Sequence, residues 1–293
     1  MTQRITFIGL GVMGFPMAGH LAKAGFDVTV ANRTAKKRKD WLKAYPGREA
    51  TNLLESVANA DLVITCLGDD QSLLNTFCGE TGVLSAIKSG ATIIDHTTTS
   101  ARIAEFLYTE AEKHHVHFVD APVSGGEQGA INGKLTIMCG GQATVFEKIA
   151  PVLKHYGRAV THMGPAGAGQ RTKMVNQITI AGLIQGLAEG LHFAERAGLD
   201  PEKVIEVISQ GAAQSWQMEN RHKTMIKGQY NHGFAVDLMR KDLRICFEEA
   251  RENGSTLPVA ALVDQFYADI QQMGGSRWDT SSLLARLNKR IAQ

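Results

Sequence analysis

The sequence has few of the features that mark secreted or membrane proteins. Only four cysteines occur in 293 residues. They form no CxxC pair, so we expect neither a disulfide framework nor a thiolate metal site. No apolar run approaches transmembrane length. The chain begins with an apolar, strand-like run that lacks the basic segment and cleavage site of a secretory leader. We therefore expect a cytoplasmic protein with reduced thiols.

The sequence also has almost no excess of charge of either sign. The 31 basic and 29 acidic residues are mixed along the chain and leave a net charge of +2, so no basic face is available for nucleic acid. His114, His115 and His117 have no acidic partner at matching spacing, and we expect no metal site. A Ser-His-Asp signature and a Walker loop are both lacking, which argues against hydrolysis and phosphoryl transfer.

Short β-branched runs alternate with helix-like segments in the first half of the chain. Helical spacing is found in Ala101–His114 and Ala143–Lys154. This alternation predicts an α/β fold with a doubly wound, mostly parallel sheet, that is, a Rossmann-type NADP-binding domain over residues 1–164. The candidate strands are Ile5–Ile8, Val28–Val30, Leu62–Thr65, Thr92–Ile94, His117–Val119 and Leu135–Met138.

Strand-like runs stop after the glycine-rich segment 164–169. Gln170–Ala197 is predicted to be one long helix that joins the first domain to an all-helical substrate and oligomerisation domain over residues 165–293. Further helices are expected at Pro201–Gln210, Asp237–Asn253 and Pro258–Met273.

Three glycines recur every fourth residue in the long helix, at positions 182, 186 and 190. Each costs roughly 1 kcal/mol relative to alanine, so we expect another helix to pack closely on this face. The same face predicts subunit contact, in a homodimer or homotetramer.

A glycine-rich loop follows the first predicted strand and opens a helix. Its sequence is Gly9-Leu10-Gly11-Val12-Met13-Gly14, a GxGxxG pattern in the strand–helix context that dinucleotide binding requires. The first glycine permits the tight turn, the second admits the pyrophosphate, and the third lets helix and strand pack closely. We expect all six residues to bind the cofactor.

The end of the second predicted strand bears on the choice of cofactor. NAD enzymes usually place an acidic side chain there, on the ribose 2′-hydroxyl, but this chain has Asn32, followed by Arg33 and Thr34. Without a carboxylate to repel it, a 2′-phosphate could pair with the Arg33 guanidinium. The segment therefore favours NADP, with NAD possible. The alternative is that the basic stretch Lys36–Lys39, which follows it, is simply a solvated helix start.

Three further segments narrow the assignment. They are Asp120-Ala121-Pro122-Val123-Ser124-Gly125-Gly126, Gly169-Gln170-Arg171-Thr172-Lys173-Met174-Val175-Asn176, and the stretch from Phe234 through Lys241-Asp242-Leu243. Together with the glycine loop, and in this order, they resemble the β-hydroxyacid dehydrogenase family, which includes 3-hydroxyisobutyrate dehydrogenase, tartronate semialdehyde reductase and glyoxylate/succinic semialdehyde reductases. The resemblance covers essentially the whole chain.

Lys173 is the candidate catalytic residue. It lies three residues before Asn176, so both side chains project from one helix face and can meet one substrate. A lysine ammonium can protonate a carbonyl oxygen as it receives hydride, and the neutral amine can accept the proton in reverse. The resemblance implies this role, and burial beside the cofactor is expected to lower the lysine pKa.

Ser124, Gly125 and Gly126 offer a hydroxyl and successive backbone amides that suit a substrate carboxylate. The resemblance implies this substrate contact.

The resemblance also implies that Lys241 reaches the cofactor or active site. Thr97 and Thr98 would lie near the nicotinamide ribose, and Leu67 would face the same crevice. Gly68 departs from the proline that the family often has, which leaves the shape of that loop open. Trp216, in the loop-like stretch 211–220, could line the substrate pocket or belong to the core.

The leading function is hydride transfer between NADP(H) and a small β-hydroxy acid or semialdehyde. An imine reductase of the same architecture is the nearest alternative, but such enzymes usually lack a lysine at this catalytic position. Decarboxylating 6-phosphogluconate dehydrogenase has a much longer helical domain than the residues available here. A non-catalytic dinucleotide-binding module is the alternative from another class, and Lys173 argues against it.

Overall fold

The computed structural model describes residues 3–79 and 81–289. The chain divides into two compact units, Met1–Lys173 and Met174–Gln293. This division falls within the longest helix, whereas the boundary predicted from the sequence lies just before that helix.

The first unit is built on one sheet, which has nine strands in the described part of the chain. Their order is β3-β2-β1-β4-β5-β6-β8-β7, with β9 also paired to β8. The first six strands are parallel, and β8 runs antiparallel to β6 and β7. The strands are β1 (Arg4–Ile8), β2 (Asp27–Ala31), β3 (Arg48–Glu49), β4 (Leu62–Thr65), β5 (Thr92–Asp95), β6 (His117–Asp120), β7 (Val123–Ser124), β8 (Leu135–Gly140) and β9 (Gly157–Gly164).

Side chains that alternate along the central strands fill two separate cores. On β4, Leu62 and Ile64 belong to one apolar cluster and Val63 to the other. Because successive strand residues point to opposite faces, helices cover the sheet on both sides, and the predicted Rossmann fold is confirmed. These helices are α1 (Gly14–Lys23), α2 (Ala35–Ala44), α3 (Leu53–Ala58), α4 (Asp70–Phe77), α5 (Ala101–Lys113), α6 (Gly126–Ile131) and α7 (Ala143–Leu153).

The second unit is helical, as predicted, and packs around its own apolar cluster. Helix α8 (Ala168–Arg196) connects the two units in sequence, and Ile184, Leu187, Leu191 and Ala194 on it are buried. It is followed by α9 (Pro201–Ile208), α10 (Trp216–Ile226), α11 (Val236–Asn253), α12 (Pro258–Gln272) and α13 (Leu283–Lys289).

One expectation about this unit is wrong. The stretch 211–220 is not all loop, because the Ser215 side chain accepts a hydrogen bond from the Met218 N–H and α10 begins at Trp216. Among the described residues, helix α12 comes near the glycine face of α8 at Gly182 only, and close helix packing on the rest of that face stays a prediction. A Cβ on Gly182 would lie 3.9 Å from Val259, and none of the described atoms would lie within 4 Å of one on Gly186 or Gly190.

Candidate active site

The predicted site residues of the first unit lie in loops at one edge of the sheet. Strands β1, β4, β5 and β6 are parallel neighbours, and their last residues are in register: Ile8 pairs with Thr65, Thr65 with Asp95, and Asp95 with Asp120. Ligands of open α/β sheets bind outside this carboxyl edge. The loops that follow the four strands contain Gly9–Gly14, Leu67, Thr97 and Thr98, and Ser124–Gly126.

The three glycines of the first loop differ in what surrounds them. Gly9 has a φ of +104°, and a Cβ there would lie 2.2 Å from the Cys66 carbonyl oxygen. A Cβ on Gly14 would lie 1.9 Å from the Gly9 carbonyl oxygen. Packing of the protein itself therefore requires these two glycines. At Gly11 a Cβ would meet nothing within 4 Å in the described parts of the chain, which leaves open space where a pyrophosphate would approach.

The loop is tied to the end of β2 by a side chain. The Leu10 N–H donates to Asn32 Oδ1 at 2.9 Å, and Asn32 Nδ2 donates to the Thr34 carbonyl at 3.3 Å. Arg38 donates to the Asn32 carbonyl and pairs with Glu49. Arg33 and Thr34 are exposed. Asn32 thus shapes the loop, and Arg33 is an exposed cation beside it.

Buried polar groups organise the loops after β4 and β5. The Leu67 N–H donates to Thr97 Oγ1 at 2.9 Å, and that hydroxyl donates to Asp95 Oδ1 at 2.6 Å. Thr97 is buried and Thr98, next to it, is half-buried. These bonds bring Leu67 and Thr97 together, and their contact with the nicotinamide end of a cofactor, with that of Thr98, stays a prediction.

His96 is buried in the same loop and takes no part in the predicted chemistry. Its Nδ1 lies 2.6 Å from the Ala121 carbonyl, and its Nε2 lies 2.8 Å from the Tyr156 hydroxyl. A carbonyl only accepts, so Nδ1 carries the proton and Nε2 accepts from the tyrosine. Burial lowers the pKa of His96 to about 4, so the ring is neutral.

The predicted carboxylate loop lies between β7 and α6. Ser124 ends strand β7 and is half-buried, while Gly125 and Gly126 are exposed and have φ values of +129° and +63°. These positive φ values favour glycine at both positions. Contact of this segment with a substrate carboxylate stays a prediction.

The beginning of α8 is anchored on a strand end. Asp120 Oδ1 accepts from the Gly167 N–H at 2.8 Å, and Oδ2 accepts from the Gln170 N–H at 2.9 Å. Burial raises the pKa of Asp120, and these N–H donors oppose the rise. Lys173, one turn further, is only 8% exposed. Asp120 and Gln170 both lie within the family-like motifs, but no role was predicted for either residue.

The second unit holds the remaining candidates. Asn176 Nδ2 donates to Gln177 Oε1 at 2.7 Å, and Gln177 Nε2 donates to Asp242 Oδ2 at 2.7 Å. Lys241 forms an ion pair with buried Asp242 at 3.0 Å. This chain of contacts joins two residues that the sequence predicted separately. Trp216 is 46% exposed and the Arg221 guanidinium lies over its ring, 5.1 Å from the centroid.

In residues 3–79 and 81–289, none of the helices combines the length and hydrophobicity that a membrane span needs. No group of three or more histidine, cysteine or acidic residues in these ranges is placed to hold a metal ion.

The parallel sheet, the open space beside Gly11 and the start of α1 define a dinucleotide-binding oxidoreductase. Residues 4–164 match the family model of the NAD-binding domain of 6-phosphogluconate dehydrogenase. Residues 167–287 match that of the NAD-binding domain of NADP-dependent 3-hydroxyisobutyrate dehydrogenase. The chain belongs to the β-hydroxyacid dehydrogenase family and is an NAD(P)-dependent hydroxyacid dehydrogenase.

Individual relatives are similar over nearly the whole chain. An uncharacterized oxidoreductase of Shewanella frigidimarina is 58% identical over 98% of both chains. The 2-(hydroxymethyl)glutarate dehydrogenase of Eubacterium barkeri is 36% identical over 96% of this chain and 93% of its own. A structure of 3-hydroxyisobutyrate dehydrogenase from Mycobacterium tuberculosis with L-serine has a TM-score of 0.88 at 30% identity, covering 98% of this chain and 99% of the other.

Proposed function

We propose that this protein transfers a hydride between NADP(H) and a short β-hydroxy acid or its semialdehyde, with Lys173 as the general acid and base. The observation that carries the proposal is the burial of Lys173, 8% exposed, one helical turn after the anchored start of α8. A lysine in the interior of a soluble protein is rarely left without a function or a partner. No other lysine of the described chain is buried to this extent.

The residues present fit the dinucleotide. Gly9–Gly14 and the start of α1 would hold the pyrophosphate, with Leu67 and Thr98 beside the nicotinamide end and Lys241 as a further contact. When bound, the cofactor supplies or accepts the hydride at its nicotinamide ring.

In the reducing direction, the Lys173 ammonium donates a proton to the carbonyl oxygen as the carbonyl carbon gains the hydride. The product is the alcohol, and the neutral amine regains its proton from water. In oxidation the amine takes the hydroxyl proton. Asn176 orients the reacting oxygen or the lysine, Ser124–Gly126 bind the substrate carboxylate, and Trp216 borders the substrate.

The test is oxidation of NADPH and NADH by the purified protein with succinic, tartronic and methylmalonic semialdehydes and glyoxylate. Lys173→Ala is expected to lower kcat by about 10² to 10⁴-fold, the usual contribution of a positioned acid–base group. Lys173→Arg should also lower kcat, because a guanidinium keeps its charge and does not release the proton. Lys88→Ala, at a partly exposed lysine paired with Asp61, is the matched control. Turnover that survives Lys173→Ala would refute the assignment.

We propose that Arg33 gives the preference for NADP. A charge-assisted hydrogen bond to a 2′-phosphate is worth about 1.5–3 kcal/mol, so Arg33→Ala should lower the NADPH/NADH ratio of kcat/KM by about 10- to 100-fold. Lys39→Ala, at an exposed lysine of α2, should leave the ratio unchanged. A wild-type preference for NADH would contradict the proposal.

We also propose that a second copy of the chain covers the glycine face of α8, in a cytoplasmic dimer or tetramer. Leu183 and Phe193 on that face are 42% and 71% exposed, and the glycines between them are uncovered by the described residues. Phe193→Glu should shift the light-scattering mass toward the monomer. Phe106→Glu, at a residue 41% exposed in the first unit, is the control. A monomeric wild type would overturn the proposal.

A further inference from the structure

Gln170 occupies a buried position between the start of α8 and the loop after β5. Its side chain is 0% exposed. Nε2 donates to the Thr97 carbonyl at 2.7 Å, and Oε1 accepts from the Thr99 N–H at 3.1 Å. The amide thus bonds to the backbone on both sides of Thr98 and fixes the distance between this loop segment and the helix.

The helix start does not need this side chain for capping. Asp120 already accepts the N–H groups of Gly167 and Gln170, which an isolated helix terminus would leave unsatisfied. Gly169 packs so closely that a Cβ there would lie 2.7 Å from Asp120 Oδ2. The Gln170 amide therefore adds something different, namely a fixed link from the helix to the 97–99 segment.

The 97–99 segment is also hydrogen-bonded to the residues next to it through Thr97. Thr97 Oγ1 donates to Asp95 and accepts from the Leu67 N–H, so the loops after β4 and β5 are bonded to each other. The bond to Asp95 is buried and the bond from Leu67 is partly buried, and buried hydrogen bonds are costly to break without replacement. A displacement of the helix start would therefore require several of these bonds to break.

Lys173 lies three residues after Gln170 and so on the same side of α8. We propose that Gln170 is a positioning residue, whose side-chain amide clamps the first turn of α8 to residues 97–99 and thereby fixes the Lys173 amine relative to Thr98. This inference rests on the proposed function, since it gives the clamp a purpose in hydride transfer. A displacement of about 1 Å at a reacting group can cost about 10²-fold in rate, so a small relaxation of the clamp has a measurable effect.

Two substitutions separate positioning from folding. Gln170→Met keeps the size of the side chain and removes both hydrogen bonds. Gln170→Glu keeps the acceptor for the Thr99 N–H, but its ionised carboxylate cannot donate to the Thr97 carbonyl. When protonated, the introduced carboxyl has one O–H donor and one carbonyl acceptor and can restore both bonds. Gln185→Met makes the same change at another buried glutamine of α8 and is the matched control.

The first readout does not depend on turnover. Acetic anhydride labelling of the full-length protein, followed by peptide mass spectrometry, gives the reactivity of Lys173 relative to exposed Lys134. Gln170→Met should raise this ratio by about threefold or more, because loss of the clamp permits local opening, and Gln185→Met should not change it. An unchanged ratio in Gln170→Met overturns the clamp, whether or not the wild type reduces any semialdehyde.

The second readout is kinetic. Gln170→Met should lower kcat by about tenfold or more while the KM for NADPH changes little, because the glycine loop is untouched. In Gln170→Glu the ratio of kcat to wild type should rise as the pH falls and the introduced carboxyl protonates. The titratable or charged groups around Gln170 are Asp120, Asp95, His96, Asp70, Lys173 and the Arg171–Glu105 ion pair. Gln170→Met contains all of them and is the reference for their effect on the pH profile.

The outcomes distinguish the two proposals. Turnover that Lys173→Ala removes and Gln170→Met leaves intact refutes the clamp alone. A wild type without turnover refutes the proposed function, and the labelling ratio then decides the clamp. If Gln170→Met does not melt cooperatively, Gln170→Glu replaces it, and a ratio of kcat to wild type that is independent of pH refutes the clamp.

Discussion

The carboxyl of Asp95 should make this protein less stable as the pH rises toward neutral. Asp95 is fully buried, and its Oδ1 accepts from the Thr65 hydroxyl at 2.7 Å and from the Thr97 N–H and hydroxyl. Its Oδ2 has no hydrogen-bond partner among the residues that the structure describes. Burial raises the pKa of Asp95 from 3.8 to about 7. The ionised form is thus disfavoured in the folded protein.

The size of the effect follows from the two pKa values. A difference of about three pH units at 1.36 kcal/mol each gives a cost of about 4 kcal/mol for ionised Asp95 in the folded state. Because the folded pKa is raised, this cost is absent below about pH 4, grows with pH, and is complete above about pH 7. At about pH 5 the same relation leaves a cost of about 2 kcal/mol.

Asp95→Asn imitates the protonated carboxyl, since the amide oxygen can keep the bonds of Oδ1 and the amide nitrogen replaces Oδ2. We expect the variant to be more stable than the wild type at pH 8, and the difference in unfolding free energy between them to fall by about 2 kcal/mol at pH 5. Urea denaturation of both proteins at the two pH values measures this change.

Comparing variant with wild type cancels other titrating groups. Buried His96, with its pKa lowered to about 4, acts in the opposite direction, because stability is lost as the pH falls from about 6.5 through its folded pKa. Asp40→Asn, at an exposed carboxyl whose pKa the Lys36 and Lys43 ammonium groups lower, should show a small effect of opposite sign. A free-energy difference for Asp95→Asn that is the same at both pH values would refute the reasoning.

Four further substitutions have definite expectations. Gly11→Ala should leave the unfolding free energy of the apo protein within about 0.5 kcal/mol of wild type and weaken NADPH binding by about tenfold or more. Gly14→Ala should instead destabilise the apo protein by at least about 1–3 kcal/mol. Thermal melting with and without NADPH compares the two variants, and equal melting temperatures under both conditions would contradict the different roles of the two glycines. Tyr156→Phe leaves His96 Nε2 unpaired and should lower the unfolding free energy, measured by urea denaturation, by about 1–3 kcal/mol. An unchanged unfolding free energy would mean that this hydrogen bond does not stabilise the fold. Asp120→Asn should destabilise at every pH, because an amide nitrogen would face a backbone N–H; a stabilised variant at pH 8 would be inconsistent with the anchoring of α8.

The central strands were predictable because each is a short run of buried β-branched or aliphatic residues. Leu62–Thr65 was predicted with the bounds observed. Three strands were missed. Two of them, β3 and β7, have two residues each, which is too few for a pattern. In β9 (Gly157–Gly164) only the first residue is buried, so its sequence shows no apolar run. Such strands form because a neighbour offers a free edge, which is tertiary information.

The local structure of the candidate site was predictable where one continuous segment contains the whole signal. The glycine loop is of this kind, since glycine spacing after a strand and before a helix predicts the strand–turn–helix that is observed. The Gln170 clamp was not predictable, because its bonds to Thr97 and Thr99 join residues 73 and 71 positions apart. The helical position of Trp216 was missed because the signal is the Ser215 cap, which is weak beside the surrounding polar and small residues.

Asp95 and Asp120 show why residue type and strand position do not determine function. They are the same residue at the ends of adjacent parallel strands and are paired in register, and burial raises the pKa of both. Asp120 accepts N–H groups from the start of α8 on both oxygens, so its carboxyl orients a helix. Asp95 has hydrogen-bond donors on one oxygen only. The chain that packs onto each carboxyl therefore makes Asp120 an anchor for the helix that contains Lys173, whereas Asp95 keeps one oxygen without a hydrogen-bond partner among the described residues.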